Sequence, residues 1–241
     1  MIRDPRYDRS RLLEEAARAA AGRRAAKAIA LYRWVLAVEP HNADVHLKLA
    51  PLLARCGERF DAWQSFQSAA RAFLRHGQPD RALAIYRQAA AALPREVQVW
   101  QAIARLQHRA GRAREAVDAL LEGSRGLRRR RLRPRAIHLL RLAREIDPWH
   151  FDSVCELAHL LARSQQREEA RILLRGLARR CGGARLRRVR ATQLRIAPTP
   201  GQLWLWLRAA LRPAPEPPRS PESRPAVVPL RRSLGRVARG R

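Results

Sequence analysis

Three stretches of the chain repeat one pattern. They are residues 28–40, AIALYRWVLAVEP; residues 82–94, ALAIYRQAAAALP; and residues 136–148, AIHLLRLAREIDP. Each opens on alanine and closes on proline, and each begins 54 residues after the one before. Apolar residues recur at three- and four-residue spacing, the period of an amphipathic helix, and proline cannot continue that helix. Composition bias alone would not align three prolines, so the chain contains an internal repeat.

The rest of the 54-residue unit keeps the same register. Ala62, Ala116 and Ala170 align, and Gly57 and Gly111 occupy turn positions where the third unit has Gln165. Glycine at a helix C-terminus adopts positive φ and lets the chain reverse. The pattern predicts three helices per unit, with one helix before the units and two after them. Their ranges are 10–21; 24–38, 43–56 and 61–76; 79–93, 97–110 and 113–127; 134–146, 151–163 and 167–181; 184–196 and 200–211.

These residues resemble the tetratricopeptide repeat (TPR). Ala28–Tyr32–Pro40 and Ala82–Tyr86–Pro94 match its second helix, and two segments match its first helix. Those segments are His46, Leu49, Ala50, Leu53 and Gly57, with histidine for the usual tryptophan, and Trp100, Ile103, Ala104, Gln107 and Gly111, with a polar Gln107. Motif alanines alternate 34 and 20 residues apart, so one helix belongs to two motifs, as in a bacterial TPR type with a three-helix super-repeat. The resemblance implies an all-α, right-handed antiparallel helical-repeat solenoid of about 12 helices.

The chain divides into three parts by composition. Residues 1–9 form an N-terminal leader, and residues 10–211 form the solenoid, with units near 24–76, 79–127 and 134–181 and a degenerate cap at 184–211. Residues 212–241 hold eight arginines and seven prolines with few apolar residues, so we expect a disordered basic tail. The apolar run from Leu203 to Leu207 is expected to cover the end of the stack, and a partner-binding hook is the alternative.

Basic charge dominates the composition. The net charge is +29, and 48 of the 50 basic residues are arginine. Residues 1–120 carry +9 and residues 121–241 carry +20, with seven arginines between Arg125 and Arg135. Codon usage in a GC-rich genome is one explanation, and selection for binding carboxylates or phosphates is the other. In either case the surface attracts polyanions.

No catalytic or metal-binding pattern occurs in the sequence. It lacks GxGxxG, GxxxxGK, HExxH and GxSxG motifs, and its seven histidines have no metal-ligand spacing. Cys56, Cys155 and Cys181 are widely spaced, which favours helix packing in a reducing compartment over a disulfide framework. The N-terminus has no signal-peptide core and no run is long enough to span a membrane. We therefore predict a cytoplasmic protein that is not an enzyme, has no cofactor and does not bind a membrane.

The resemblance places a ligand groove on the inward face of the first helices. The family's carboxylate clamp is missing, since Leu47 and Pro51 stand at its positions. We expect a protein-binding scaffold whose partner is an acidic peptide or protein segment. A non-specific nucleic-acid binder using the arginine-rich C-terminal half is the alternative, and a self-associating assembly subunit is a third possibility. The groove positions are Gln64, Gln67, Arg71 and Arg75; Gln98, Gln101, Arg105, His108 and Arg109; Arg125, Arg128 and Arg129; and Asp152, Glu156 and His159.

Overall fold

The computed structural model describes residues 8–211, and the predicted leader and tail lie largely or wholly outside that range. Twelve α-helices and no strand occur within it, as the sequence predicts. Each helix begins and ends within three residues of its predicted position. The helices are α1 Arg9–Ala21, α2 Ala25–Val38, α3 Ala43–Cys56, α4 Arg59–Arg75, α5 Pro79–Ala92, α6 Val97–Arg109, α7 Ala113–Arg125, α8 Arg133–Ile146, α9 Phe151–Arg163, α10 Arg167–Ala178, α11 Gly183–Ile196 and α12 Pro200–Leu211.

The helices stack in chain order as an all-α helical-repeat solenoid. Each helix packs against the next, and contacts also join α3 to α5, α6 to α8, and α9 to α11. The motif alanines lie where these helices meet, and Ala28, Ala82 and Ala136 are completely buried. A methyl side chain at that register allows two helix backbones to approach closely.

The 54-residue period is visible in side-chain contacts as well as in helix positions. Trp100 Nε1 donates a hydrogen bond to the carbonyl of Pro94 at 3.0 Å. In the unit before it, His46 Nε2 lies 2.9 Å from the carbonyl of Pro40. Because a carbonyl oxygen only accepts, His46 donates through Nε2 and reproduces the contact of the tryptophan. Histidine therefore fills the tryptophan position without loss of this hydrogen bond.

An ion pair between the first and third helices recurs in two of the units. Arg33 of α2 contacts Asp61 of α4 at 2.7 Å. The equivalent residues 108 positions later, Arg141 of α8 and Glu169 of α10, are 3.1 Å apart. These pairs are about half exposed, so each stabilises the fold only slightly. The first and third units therefore have an ion pair at the same register.

The last helix buries little of its apolar surface. Thr199 Oγ1 accepts a hydrogen bond from the backbone N–H of Gln202 and so caps the N-terminus of α12. However, Leu203 is 45% exposed and Trp204 is 58% exposed, and Ala209 is the buried residue of α12. The helix packs on α11 through this small residue, which leaves Leu203, Trp204 and Leu207 exposed, whereas Leu205 and Trp206 are half-buried.

The tryptophans of α2, α4 and α6 differ in their burial. Trp63 and Trp100 are buried, but Trp34 is 42% exposed. Its neighbours Tyr32 and Val35 take the core-facing positions of α2, and the side chain of residue 34 points away from them on a helical turn.

Candidate functional site

The predicted groove residues all lie at the surface. Ten of the twelve arginine, glutamine and histidine positions are exposed, and Gln67 and Gln101 are half-buried. The side chains between them are buried or half-buried, so these residues mark the solvated faces of α4 and α6 and the region around the end of α7.

Three predicted residues meet in one cavity, which we call the central cleft. Its volume is about 380 Å³, and it lies between α6 and α8. Gln101, Arg105 and His108 of α6 form one wall. The floor and opposite wall are Leu120 of α7 and Leu142, Glu145 and Ile146 of α8. The cleft thus combines an apolar floor with a few polar groups, the usual composition of a ligand site.

Hydrogen bonds order the α6 wall of the central cleft. Gln101 Nε2 lies 2.8 Å from His138 Nε2 of α8 and donates to it. Arg105 Nε donates to the backbone carbonyl of Gln101 at 3.3 Å. Within residues 8–211 Arg105 forms no ion pair, so its guanidinium charge is not neutralised by a neighbouring carboxylate.

The Tyr86 phenol of α5 lies within the electrostatic influence of Arg71 and Arg105. Burial raises the pKa of the Tyr86 phenol, and the positive charges of Arg71 and Arg105 partly offset that rise in pKa. Both guanidiniums therefore act on one hydroxyl of α5, Arg71 from α4 and Arg105 from α6. The two predicted arginines share one electrostatic environment.

Arg128 belongs to a second cavity, which we call the C-terminal cleft. It has a volume of about 520 Å³ and lies between α9 and α11. Arg128 forms a two-point contact with Glu156, with Nε to Oε1 at 2.8 Å and Nη2 to Oε2 at 3.0 Å. Arg188 Nη1 pairs with Asp152 at 3.0 Å. Much of the charge in this cleft is therefore neutralised internally.

Glu156 pairs with Arg128, whose guanidinium reaches across from the connection after α7. One expectation about this region is corrected by the structure. Arg128 and Arg129 are not on a helix, since α7 ends at Arg125 and Gly126 follows it. They lie instead in the connection from α7 to α8.

The remaining predicted residues line neither cleft. They are Gln64, Gln67, Arg71, Arg75, Gln98, Arg109, Arg125 and Arg129. The sequence also missed Leu142, Glu145 and Ile146, because the resemblance assigns the groove to first helices and α8 matches a second helix. The contact between α6 and α8, two helices apart, brings them to the cleft.

Cys155 is buried, as predicted for helix packing, whereas Cys56 is exposed. Burial raises the pKa of the Cys155 thiol from 9.0 to about 11. Among residues 8–211, no group of three or more histidine, cysteine, aspartate or glutamate side chains is arranged to hold a metal ion. None of the twelve helices is sufficiently long and apolar to cross a membrane.

Comparison with known proteins gives one family match. Residues 73–128 match the tetratricopeptide repeat family model, and no curated protein matches the sequence. Similar solved structures include YrrB, described as a TPR protein with an unusual peptide-binding site, at 16% identity, 83% coverage of this chain, 90% of that chain and a TM-score of 0.28. PilF of Pseudomonas aeruginosa has 18% identity, coverages of 84% and 89%, and a TM-score of 0.30. A TPR protein of Parabacteroides merdae has 13% identity, coverages of 83% and 91%, and a TM-score of 0.31.

The matched segment runs from the end of α4 to the connection after α7, and it includes the α6 wall of the central cleft. Helices on both sides continue the same stack, with the same alanine, proline and turn registers. Residues 73–128 are therefore similar to the tetratricopeptide repeat, and the flanking helices have the same repeat register.

Proposed function

We propose that the protein is a non-catalytic scaffold that binds a peptide segment in the central cleft. The observation that carries this proposal is the unneutralised guanidinium of Arg105 beside the apolar floor formed by Leu120, Leu142 and Ile146. A carboxylate of the ligand would bind Arg105, because guanidinium–carboxylate contacts add direction to attraction. An adjacent large apolar side chain would bury itself against the floor.

Glu145 on the opposite wall defines the ligand further. Its carboxylate repels a ligand that carries only negative charge, and it accepts hydrogen bonds from backbone or side-chain N–H groups. A peptide offers both N–H groups and a carboxylate, whereas a phosphate backbone offers no such donors. This wall therefore favours an acidic peptide over nucleic acid in the central cleft.

The test is a selection of random displayed peptides on the full chain. We expect the selected peptides to carry an acidic residue next to a large apolar residue. Arg105→Glu with Arg109→Glu should weaken their binding at least tenfold, since it places carboxylates at Arg105 in the cleft and at Arg109 one turn further along α6. The control is Arg114→Glu with Arg175→Glu, which makes the same charge change at exposed positions outside the cleft. Equal binding by both double variants would rule out this cleft as the site.

A specific surface feature supports nucleic acid as a second candidate ligand. Arg129, Arg130 and Arg131 are consecutive and exposed in the connection from α7 to α8, and none forms an ion pair among the described residues. Such a cluster would bind phosphates with steep salt dependence. The test is retardation of arbitrary DNA or RNA at about 150 mM salt, and its loss on replacing the three arginines by glutamine. Absence of retardation by the unmodified chain would eliminate this candidate.

We further propose the organisation and location in which this scaffold works. Residues 10–211 are the binding unit, and residues 1–9 and 212–241 flank it as leader and basic tail. A reducing compartment, the cytoplasm, suits the exposed thiol of Cys56, which would oxidise in a secretory environment. The observation that would refute this location is recovery of the native protein with Cys56 in a disulfide.

A further inference from the structure

An acidic cavity lies on another side of α6, between α5 and α7. Its volume is about 560 Å³. Gln107 and Trp100 of α6 form its floor, and Arg87 of α5 is on one wall. Glu115, Asp118 and Glu122 of α7 form the other wall. In a chain of net charge +29, this cavity contains three carboxylates and one guanidinium.

The three carboxylates follow one face of α7. Their spacing of three and four residues places them on successive turns, over about 10 Å of helix. Glu122 forms no hydrogen bond or ion pair with any residue of the described range. Asp118 is 3.8 Å from His150 Nε2, and Glu115 is 3.9 Å from Arg112 Nε. The row therefore has one free carboxylate and two with only distant partners.

In the flanking units, an ion pair occupies the positions that line this cavity in the second unit. Arg33–Asp61 and Arg141–Glu169 are ion pairs, but no ion pair within residues 8–211 joins the equivalent Arg87 and Glu115. The two extra acids also belong to the second unit only. Asp118 stands where the other units have Gln64 and Ile172, and Glu122 stands where they have Ser68 and Gly176.

Gln107 adds an independent sign of a ligand. It occupies the register of Leu53 and Leu161, which are buried apolar residues in the other units. Its side chain lines the cavity and is 5% exposed, and its Oε1 has no hydrogen-bond partner. Leaving a buried amide oxygen unpaired is unfavourable, so a polar residue in a leucine position calls for a donor from outside the chain's own fold.

We propose that this acidic cavity binds arginine side chains of an extended peptide. A guanidinium has five N–H donors and a permanent positive charge, which suit both the amide oxygen of Gln107 and the carboxylates of α7. In the extended polyproline II conformation, side chains three residues apart lie on the same face and are about 9 Å apart, which is close to the length of the acidic row. The chain as a whole repels cations, so any binding of such a peptide depends on this local arrangement.

Two kinds of segment carry such arginine side chains. Residues 212–241 of the chain carry eight arginines. Thirty residues reach at most about 100 Å when extended, further than the several helix spacings of about 10 Å that separate α12 from α7. The second source is a basic segment of another protein. The proposal is independent of peptide binding in the central cleft, since it concerns different residues and a ligand of opposite charge.

The experiment measures binding of a labelled Arg-Ala-Ala-Arg peptide to the full chain by fluorescence anisotropy. A peptide with citrulline in place of both arginines has the same shape without the charge and should bind at least tenfold more weakly. Asp118→Asn with Glu122→Gln should cause a similar loss for the arginine peptide. Glu14→Gln with Asp44→Asn, an equal charge change at exposed sites far from the cavity, should leave its affinity unchanged.

Gln107→Leu restores the residue of the flanking units, so it should keep the fold and lower the arginine-peptide affinity several-fold. A full chain with its eight tail arginines changed to glutamine separates the two sources. Tighter peptide binding by that variant means that the tail competes for the cavity, and unchanged binding excludes the tail and leaves a segment of another protein as the source. Equal affinity for the arginine and citrulline peptides, or equal loss in both double variants, would overturn the proposal.

Discussion

In the third unit, Gln165 occupies the turn position at which the first two units have glycine. Gly57 and Gly111 have φ of 86° and 75°, and Gln165 at the same register has φ of 65°. A residue with a Cβ is disfavoured in the left-handed region by about 1–2 kcal/mol. The third unit thus keeps the turn with a residue that is unfavourable there.

We predict that Gln165→Gly raises the free energy of unfolding by about 0.5–1 kcal/mol, as relief of the left-handed strain exceeds the greater flexibility of glycine in the unfolded chain. The reverse change, Gly111→Gln, should lower it by a similar amount. A Cβ at residue 111 meets no atom within 4 Å, so the effect there is conformational rather than steric. Urea unfolding measures both, and a destabilised Gln165→Gly variant would contradict this account.

Burial of Cys155 gives a prediction with a defined pH window. Its pKa is raised from 9.0 to about 11, because burial disfavours the thiolate. At pH 8 the exposed Cys56 should therefore react with iodoacetamide at least tenfold faster than Cys155. Peptide mass mapping of the native chain distinguishes the two sites, and equal labelling would contradict the buried position.

The same pKa shift affects stability. The folded state retains the Cys155 proton to higher pH than the unfolded state does, so its contribution is fully present below pH 9 and is lost as pH rises towards 11. The raised pKa values of Tyr32 and Tyr86 act in the same direction. The melting temperature should accordingly fall over this alkaline range, with a smaller fall for Cys155→Ala.

At the scale of elements, the contact between α6 and α7 depends on the size of one residue pair. A Cβ added at Gly123 would lie 2.7 Å from Cδ1 and Cδ2 of Trp100. The equivalent pairs are His46 with Ala69 in the first unit and Val154 with Leu177 in the third. Across the three units, a larger residue at the register of Trp100 is paired with a smaller residue at the register of Gly123. The summed side-chain volume of the pair therefore stays similar.

We predict that Gly123→Ala destabilises the protein by about 1–3 kcal/mol through overpacking against Trp100. Trp100→His, which recreates the pair of the first unit, should rescue part of that loss. In the double-mutant cycle the combined cost should be at least about 1 kcal/mol less than the sum of the single costs. Additive costs would mean that the two residues do not share one packing space.

The helices were predictable because their signals are local. Prolines at 40, 94 and 148 and glycines at 57 and 111 mark helix ends in the sequence itself. The central cleft was only half predictable. Its α6 wall follows from the motif register, but Leu142, Glu145 and Ile146 come from a helix two positions along the stack, and no spacing pattern encodes that contact.

The exposure of side chains on α12 was not predictable, for a related reason. Leucine and tryptophan in α12 indicate an apolar helix, but their hydrophobicity does not specify which neighbour covers them. The acidic cavity has a sequence signal that becomes clear only when the units are aligned. Gln107, Asp118 and Glu122 each break the pattern of the flanking units, and the fold brings all three to one place.

For the whole molecule, charge imbalance is the dominant electrostatic property. With 50 basic and 21 acidic residues, repulsion within the compact state outweighs its scattered surface ion pairs. We predict that raising sodium chloride from about 20 to about 300 mM increases the melting temperature, because salt screens this repulsion. A decrease would show that the ion pairs contribute more than the net repulsion does.

The most direct test of the central claim is hydrogen–deuterium exchange of the full chain with and without the tightest displayed peptide. We expect protection in α6 and α8, around Arg105 and Leu142, because these helices form the walls of the central cleft. The Arg105→Glu, Arg109→Glu double variant should lose that protection at the same peptide concentration. Protection confined to α9–α11, or no protection of α6 and α8, would contradict peptide binding in the central cleft.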